Sequence, residues 1–326
     1  MLSKTDPRLR RTLRSARAAD YSKLVRRFLG LPYLTVEDFL PPISGDQAAR
    51  LSRLSLNARG PGPAPILVLG IMPRCGSNFL RDLIALHPDT YPDPWNLYEF
   101  PLLGTVDAAR AWADDFIVRF PRNEEQFGEL DMLAMLGGAW LRELQREAGD
   151  KPILLKSPHV HALGLAPYLF AGARIVICLR DGRDVIDSTI NTFSRYSPGR
   201  KTFGQLSREW RCGAEAIASF LPGGENEHPD VLVVRYEDVL DDTDARMREV
   251  LQHSGLDPER YDFAAAASLP GRGSSRNKST DEERWKPQER AVNFKPIRRW
   301  EKWSSSRKEQ FLRIAGASLQ AAGYDR

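Results

Sequence analysis

One stretch constrains this chain more than any other. Residues 65–70, Pro-Ile-Leu-Val-Leu-Gly, form a largely apolar run closed upstream by the Pro/Gly cluster at 60–65. Such a run reads as a strand buried on both faces, as a parallel sheet requires. The chemistry then changes abruptly to Ile71-Met72-Pro73-Arg74-Cys75-Gly76-Ser77-Asn78. In the segment 79–86 that follows, Phe79, Leu80, Leu83 and Leu86 fall on one helical face, and Ser77 or Asn78 is placed to cap it. Strand, glycine-containing loop and helix N-terminus together bind phosphate-like anions, because the free N–H groups and the dipole of the first turn face the ligand. Gly76 lets the backbone approach closely and Arg74 adds a cation. The competing reading is an ordinary strand–loop–helix joint with a surface arginine.

The loop is not a nucleoside-triphosphate loop. Five residues separate Gly70 from Gly76 instead of four, and no lysine follows Gly76. Composition narrows the partners. A net charge of +4 over 326 residues is too mild to predict nucleic-acid binding, and a locally positive cleft for a polyanionic cofactor suits it better. Cys75, Cys178 and Cys212 lack metal or disulfide spacing, and the histidines are scattered, so no metal site is expected. With no apolar run of transmembrane length and no signal-peptide core, the expected location is cytoplasmic. Residues 1–30 hold nine Lys/Arg against two Asp and a loose apolar stripe. They predict either a solvated helix packed on the domain or a basic amphipathic helix touching an anionic membrane.

Further candidates follow in order. Residues 91–100 are aromatic and interrupted by prolines, which forbids a regular helix and predicts a loop walling a pocket. Glu99 lies among these aromatics, a setting that raises a carboxyl pKa and suits a general base; His87, Asp89 and Asp93 are its rivals. Residues 105–149 predict two or more helices, with Ala108, Ala111, Trp112, Phe116 and Ile117 on one stripe and Leu130, Leu133, Leu136, Trp140 and Leu141 on another. Gly137-Gly138 marks a kink or a close contact. Strands are predicted at 152–155, 173–179 and 231–234. The first ends in Lys156-Ser157-Pro158, where a lysine at the carboxyl end of a parallel strand lies at the ligand edge of the sheet. The second turns through Arg180-Asp181-Gly182-Arg183-Asp184 into a helix carrying Ser188, an arrangement suited to a second phosphate.

Pro73-Arg74-Cys75-Gly76-Ser77-Asn78 resembles the 5′-phosphosulfate loop of sulfotransferases that use 3′-phosphoadenosine 5′-phosphosulfate (PAPS), with Cys75 and Ser77-Asn78 in place of the common Ser and Thr-Thr. In motif style it is closest to the bacterial and tyrosylprotein branch. The resemblance covers about residues 65–305 and implies an α/β fold with a central parallel sheet flanked by helices, like the P-loop NTPases. Lys156-Ser157-Pro158 is similar to the family element holding the catalytic lysine. Arg180 and Ser188 match the Arg and Ser that hold the 3′-phosphate. Arg235-Tyr236-Glu237-Asp238 resembles a further element, which places Tyr236 beside the adenine or 3′-phosphate. A basic segment before a Trp-containing C-terminal helix implies 3′-phosphate contacts from Lys295 and Arg298. Glu99 takes the position of the acceptor-deprotonating Glu of the tyrosylprotein branch.

The expected domains are a basic helical extension and connector at 1–62 and a sulfotransferase domain at 63–326 with a helical insertion at about 105–149. The expected reaction is metal-independent, in-line transfer of a sulfuryl group from PAPS to a small-molecule, glycan or lipid hydroxyl, less readily an amine. Glu99 is its base, and Arg74 and Lys156 stabilise developing charge together with the N–H groups of Cys75, Gly76, Ser77 and Asn78. A sulfuryl group carries less charge than a phosphoryl group, so Lys and Arg can stand in for a metal. Two alternatives remain at this point: a P-loop-like small-molecule kinase, and a nucleotide-binding relative without chemistry.

Overall fold

The apolar runs become strands of one all-parallel sheet in the computed structural model, which describes residues 25–26, 29, 34–97, 99–100, 102–123, 125–193, 201–269 and 296–325. The strands are β1 (Ile66–Gly70), β2 (Tyr91–Pro92), β3 (Ile153–Ser157), β4 (Arg174–Leu179) and β5 (Val231–Arg235), ordered β2-β3-β1-β4-β5. Every residue of β1 and β3 is buried, as expected of strands covered on both faces. The chain first builds outward on the β3 side of β1 and then on the β4 side. That makes β1 the switch point, and its carboxyl end opens on the crevice where such sheets bind ligands.

Helices cover both faces. In chain order they are α1 (Gly45–Arg59), α2 (Ser77–Ile84), α3 (Val106–Arg119), α4 (Asp131–Ala148), α5 (Ala166–Leu169) and α6 (Gly182–Phe193). They continue with α7 (Phe203–Ala218), α8 (Tyr236–Asp241), α9 (Thr243–His253), α10 (Phe263–Ala267) and α11 (Ser305–Ala321). Helix α7 begins at a capping box, with Thr202 and Gln205 exchanging bonds, and buries Leu206, Trp210, Ala214 and Ile217. Gly137-Gly138 causes no helix break: α4 runs unbroken through it. Its purpose is close packing, because a Cβ on Gly138 would lie 2.1 Å from the Ser55 carbonyl oxygen of α1. The Arg50 side chain closes the same interface by donating to the Asp131 carboxylate (Nε–Oδ1 3.0 Å).

Two expectations need correction. Ala108 and Trp112 of the first insertion stripe are exposed, and α3 buries Val106 and Ala113 instead. Leu136 of the second stripe is also exposed. In the second stripe Leu130, Leu133, Trp140 and Leu141 do join the core; in the first, periodicity located the helix but not its buried face, because the aromatic residues Trp112, Phe116 and Phe127 pack mainly on one another. Among the described residues no helix is long and apolar enough to cross a membrane. The basic segment 1–24 and the Gly/Ser/Lys-rich segment 270–295, including Lys295, lie outside the described residues.

Candidate active site

The anion loop leaves β1 at Gly70 and enters α2. Its turn rests on two left-handed residues around Cys75: Arg74 (φ 80°) and Gly76 (φ 102°). An arginine in this region is strained, and such strain gathers at functional sites. Gly76 occupies the N-cap position of α2. The expected capping by Ser77 or Asn78 therefore does not occur; Ser77 is the first helical residue, and a cap without a side chain offers no acceptor to the first-turn amides. Gly76 is also sterically required, since a Cβ there would lie 2.3 Å from Cδ2 of Tyr236.

Cys75 does not face a ligand. It is fully buried, and its N–H donates to the Met72 carbonyl (3.2 Å) inside the loop. Its sulfur lies beneath the loop, where a Cβ on Gly70 would come within 2.5 Å of it. Burial pushes the Cys75 thiol up, yet hydrogen bonds from Cys178, Ser77 and Met72 outweigh this and bring it down to about 6. Cys178 is pushed well above the usual thiol range, first by its hydrogen bond to Cys75 and then by burial. The Cys178 thiol donates to the Cys75 carbonyl (3.4 Å) beneath the loop. The cofactor contact expected of Cys75 is corrected to a supporting role, and part of the hydrogen-bonding capacity of Ser77 is spent on the Cys75 sulfur.

Across β1, the β4–α6 turn brings Arg180 and Ser188 to the loop. Arg74 Nε donates to Ser188 Oγ (3.2 Å), and Arg180 donates to the Arg74 carbonyl (2.8 Å) and to the Pro296 carbonyl. The Arg180 guanidinium lies over the Tyr236 ring (4.6 Å). Burial alone lowers its pKa, but Tyr236, Asp184 and Glu237 more than compensate, so it is held above its ordinary value. Buried Arg180 Nε has no partner among the described residues. An unpaired buried donor beside a second cation, Arg74, and a hydroxyl is a group of residues that fits an added anion. Among the described residues no cluster of His, Cys, Asp and Glu is arranged to hold a metal ion.

On the other side of β1, Lys156 stands level with Val68 in the sheet register. Its nearly buried ammonium group meets Glu99 (Nζ–Oε1 3.2 Å), whose side chain is 40% exposed. The pair exists because Phe100 N donates to the Lys156 carbonyl (2.8 Å), which draws the 91–100 segment along the sheet edge. Glu99 is therefore not the carboxyl in an apolar setting that its aromatic neighbours suggest; it is a solvent-reaching acceptor next to a buried cation. The rivals are committed elsewhere. His87 is buried, its Nε2 pairs with the Asp257 carbonyl (2.9 Å) and its Nδ1 accepts from Asp89 N (3.1 Å). Asp89 pairs with Arg260 and Asp93 with Arg81.

The sequence reading missed the carboxylates that fasten the C-terminal segment. Asp184 accepts the N–H groups of Arg298 (2.8 Å) and Arg299 (2.7 Å), and Asp187 accepts Trp303 Nε1 (3.1 Å). Arg298 thus reaches the site through its backbone, at a left-handed φ of 58°. Arg183 supports the same segment by lying 3.8 Å over the Trp300 ring while paired with Asp181. The signal available was the spacing of Asp184, Asp187 and Ser188 on one helix. The partners of Asp184 and Asp187 lie 114–116 residues downstream, beyond any local pattern.

An all-parallel sheet with an anion loop at its switch strand, a second cationic turn on one neighbour and a Lys–Glu pair on the other defines an anion-binding α/β protein built for group transfer. The sequence profile of the Sulfotransferase family matches residues 65–260, and the chain belongs to that family. Similar solved structures include mouse sulfotransferase SULT7A1 complexed with PAP, at 13% identity over 85% of this chain and 90% of that one (TM-score 0.44). Sulfotransferase STF1 from Mycobacterium tuberculosis H37Rv is 17% identical over 76% and 87% (TM-score 0.38). The sulfotransferase domain from the curacin biosynthetic pathway is 17% identical over 62% and 77% (TM-score 0.39). No curated protein matches the chain.

Proposed function

We propose that the protein transfers a sulfuryl group from PAPS to the hydroxyl of an acceptor without a metal. The observation that carries this reading is the contact between Lys156 and Glu99 at the carboxyl edge of β3, next to the loop bearing Arg74. PAPS supplies an activated sulfuryl group. Glu99, half in solvent, accepts the acceptor's proton; its contact with Lys156 aims it. Lys156 Nζ, released as Glu99 is neutralised, donates to the oxygen on which charge develops, and Arg74 adds a second cation. A preformed pair of donors costs no reorganisation during the reaction. On the nucleotide side, Arg74, Gly76, Ser77 and Asn78 receive the 5′ group. Ser188, the spare donor of Arg180, Tyr236 and the 296–298 backbone receive the 3′-phosphate end, with Lys295 as a further candidate. Three buried free thiols fit a reducing, cytoplasmic location. Membrane contact, if residues 1–30 make one, adds a peripheral role.

The test is metal-free calorimetry of 3′,5′-adenosine bisphosphate beside 5′-AMP and Mg-ATP. Preference for the bisphosphate supports the reading and justifies screening hydroxyl acceptors with PAPS. Equal or tighter binding of Mg-ATP refutes it in favour of a kinase.

A further inference from the structure

The last turn of the described chain reaches back to the second cationic turn. Helix α11 closes on a Schellman motif: Gly323 N donates to the Gln320 carbonyl (2.9 Å) and Tyr324 N to the Leu319 carbonyl (3.0 Å), with Gly323 left-handed at φ 80°. That motif fixes the direction of the tyrosine. Its ring is buried, and the Arg235 guanidinium lies 4.3 Å over it while Nη1 of the same arginine donates to the Gly323 carbonyl (2.8 Å). The Tyr324 hydroxyl donates to Oε2 of Glu237 (2.8 Å). Burial and the nearby Glu237 carboxylate push this hydroxyl well above its ordinary pKa, so it stays a donor.

Glu237 is the second residue of α8, and the sheet register explains where it sits. Leu179 at the end of β4 stands level with Arg235 at the end of β5. The residues that follow, Arg180-Asp181 and Tyr236-Glu237, therefore leave the sheet side by side. Arg180 lies over the Tyr236 ring, and Glu237 Oε1 accepts the Asp181 N–H (3.1 Å). Both carboxylate oxygens are thus engaged, one by the turn and one by the C-terminal tyrosine. Arg180 instead spends its outer nitrogens on the Arg74 and Pro296 carbonyls, and its buried Nε has no partner among the described residues.

Resting on the reading above, we infer that Tyr324 is a positioning residue that sets nucleotide selectivity: its hydroxyl ties Glu237 to the Asp181 turn and so keeps Arg180 open for a 3′-phosphate. A buried carboxylate oxygen that loses the hydroxyl needs another donor. Arg235 is engaged by Asp238 (Nε–Oδ1 3.7 Å) and by the Gly323 carbonyl, whereas Arg180 has its Nε to offer. A Glu237–Arg180 pair would take that donor and cancel the charge a 3′-phosphate meets. A 5′-phosphate, received by the loop after β1, would not compete with it.

The experiment is metal-free calorimetry of the full chain with 3′,5′-adenosine bisphosphate and with 5′-AMP. Tyr324→Phe keeps the ring under Arg235 and removes only the hydroxyl. It weakens bisphosphate binding about tenfold or more, the worth of one bond to a charged group, and leaves 5′-AMP within a few-fold. Glu237→Gln added to Tyr324→Phe removes the charge that captures Arg180 and brings bisphosphate affinity back to within a few-fold of wild type. Loosened packing cannot give such a rescue, because a second substitution would loosen it further. Unchanged bisphosphate affinity in Tyr324→Phe overturns the inference. So does an equal loss for both nucleotides, and so does a double variant no better than the single one. A wild type that prefers the bisphosphate, matched by Tyr324→Phe, refutes the positioning role and leaves the proposed reaction standing; a wild type without that preference refutes both.

Discussion

Gly76→Ala separates the steric logic of the anion loop from simple sequence resemblance. Two costs add. Alanine at φ 102° occupies a region reserved for glycine, at about 1–3 kcal/mol. The new methyl also meets Tyr236, 2.3 Å from Cδ2 and 2.6 Å from Cε2. The ring cannot retreat freely, because Arg180 lies 4.6 Å over it and Phe79 packs edge-on at 6.0 Å. Overpacking of this kind costs a further 1–3 kcal/mol or so. A total of about 2–6 kcal/mol lowers the melting temperature by several degrees or more in a domain of this size. Any part met by distorting the loop appears as weaker bisphosphate binding, about tenfold per 1.4 kcal/mol. The assay is a double-mutant cycle with Tyr236→Ala, read by thermal melting and calorimetry. The clash term should vanish in the double variant while the φ term remains, giving a coupling of about 1–3 kcal/mol. A Gly76→Ala protein with wild-type stability and affinity, or a cycle without coupling, refutes the reasoning.

Lys156→Ala should reduce turnover by a factor of about a hundred or more while bisphosphate affinity stays within a few-fold; a near-wild-type rate removes lysine from the chemistry. Arg180→Ala should weaken bisphosphate binding and also loosen the loop, since Arg180 holds the Arg74 carbonyl; calorimetry with unchanged affinity would refute both roles. The opposite shifts of Cys75 and Cys178 predict a stability profile with a maximum. The folded pKa of Cys75, about 6, lies below the ordinary 9.0, so its contribution is lost as pH falls through about 6 and is fully present by about 9. Cys178 is shifted the other way, so stability declines again above the usual thiol range. Denaturant titrations of Cys75→Ser across this interval should lack the rise from pH 6 to 9, and an identical slope in both proteins would count against the thiolate.

The sheet was legible because strands buried on both faces must be continuous apolar runs, and β1, β3, β4 and β5 each coincide with one. So were the chemistry-bearing turns, because a polar residue at the end of such a run has nowhere to go but the ligand edge; Lys156, Arg180 and Arg74 all stand there. What composition could not reveal was direction. Cys75 and Ser77 occupy ligand positions by spacing, yet the turn set by Arg74 and Gly76 sends the Cys75 sulfur beneath the loop. Tyr236 follows β5 by more than 150 residues after Gly76 and still fits against it, a contact created by the order of strands rather than by any local pattern.

The bond from Arg74 to Ser188 ties the loop after β1 to helix α6, the two ends of the proposed nucleotide cradle. Each end therefore senses the other. An anion that takes Nε of Arg74 breaks that bond and leaves the serine hydroxyl to find a new partner, whereas one that meets the outer guanidinium nitrogens leaves it in place. A ligand with groups at both ends replaces the bond twice over and gains the benefit of a chelate, since the second group arrives already tethered at high local concentration. For the proposed nucleotide, the loop would then act as a coincidence detector, favouring charge at both ends by a margin neither end would supply alone.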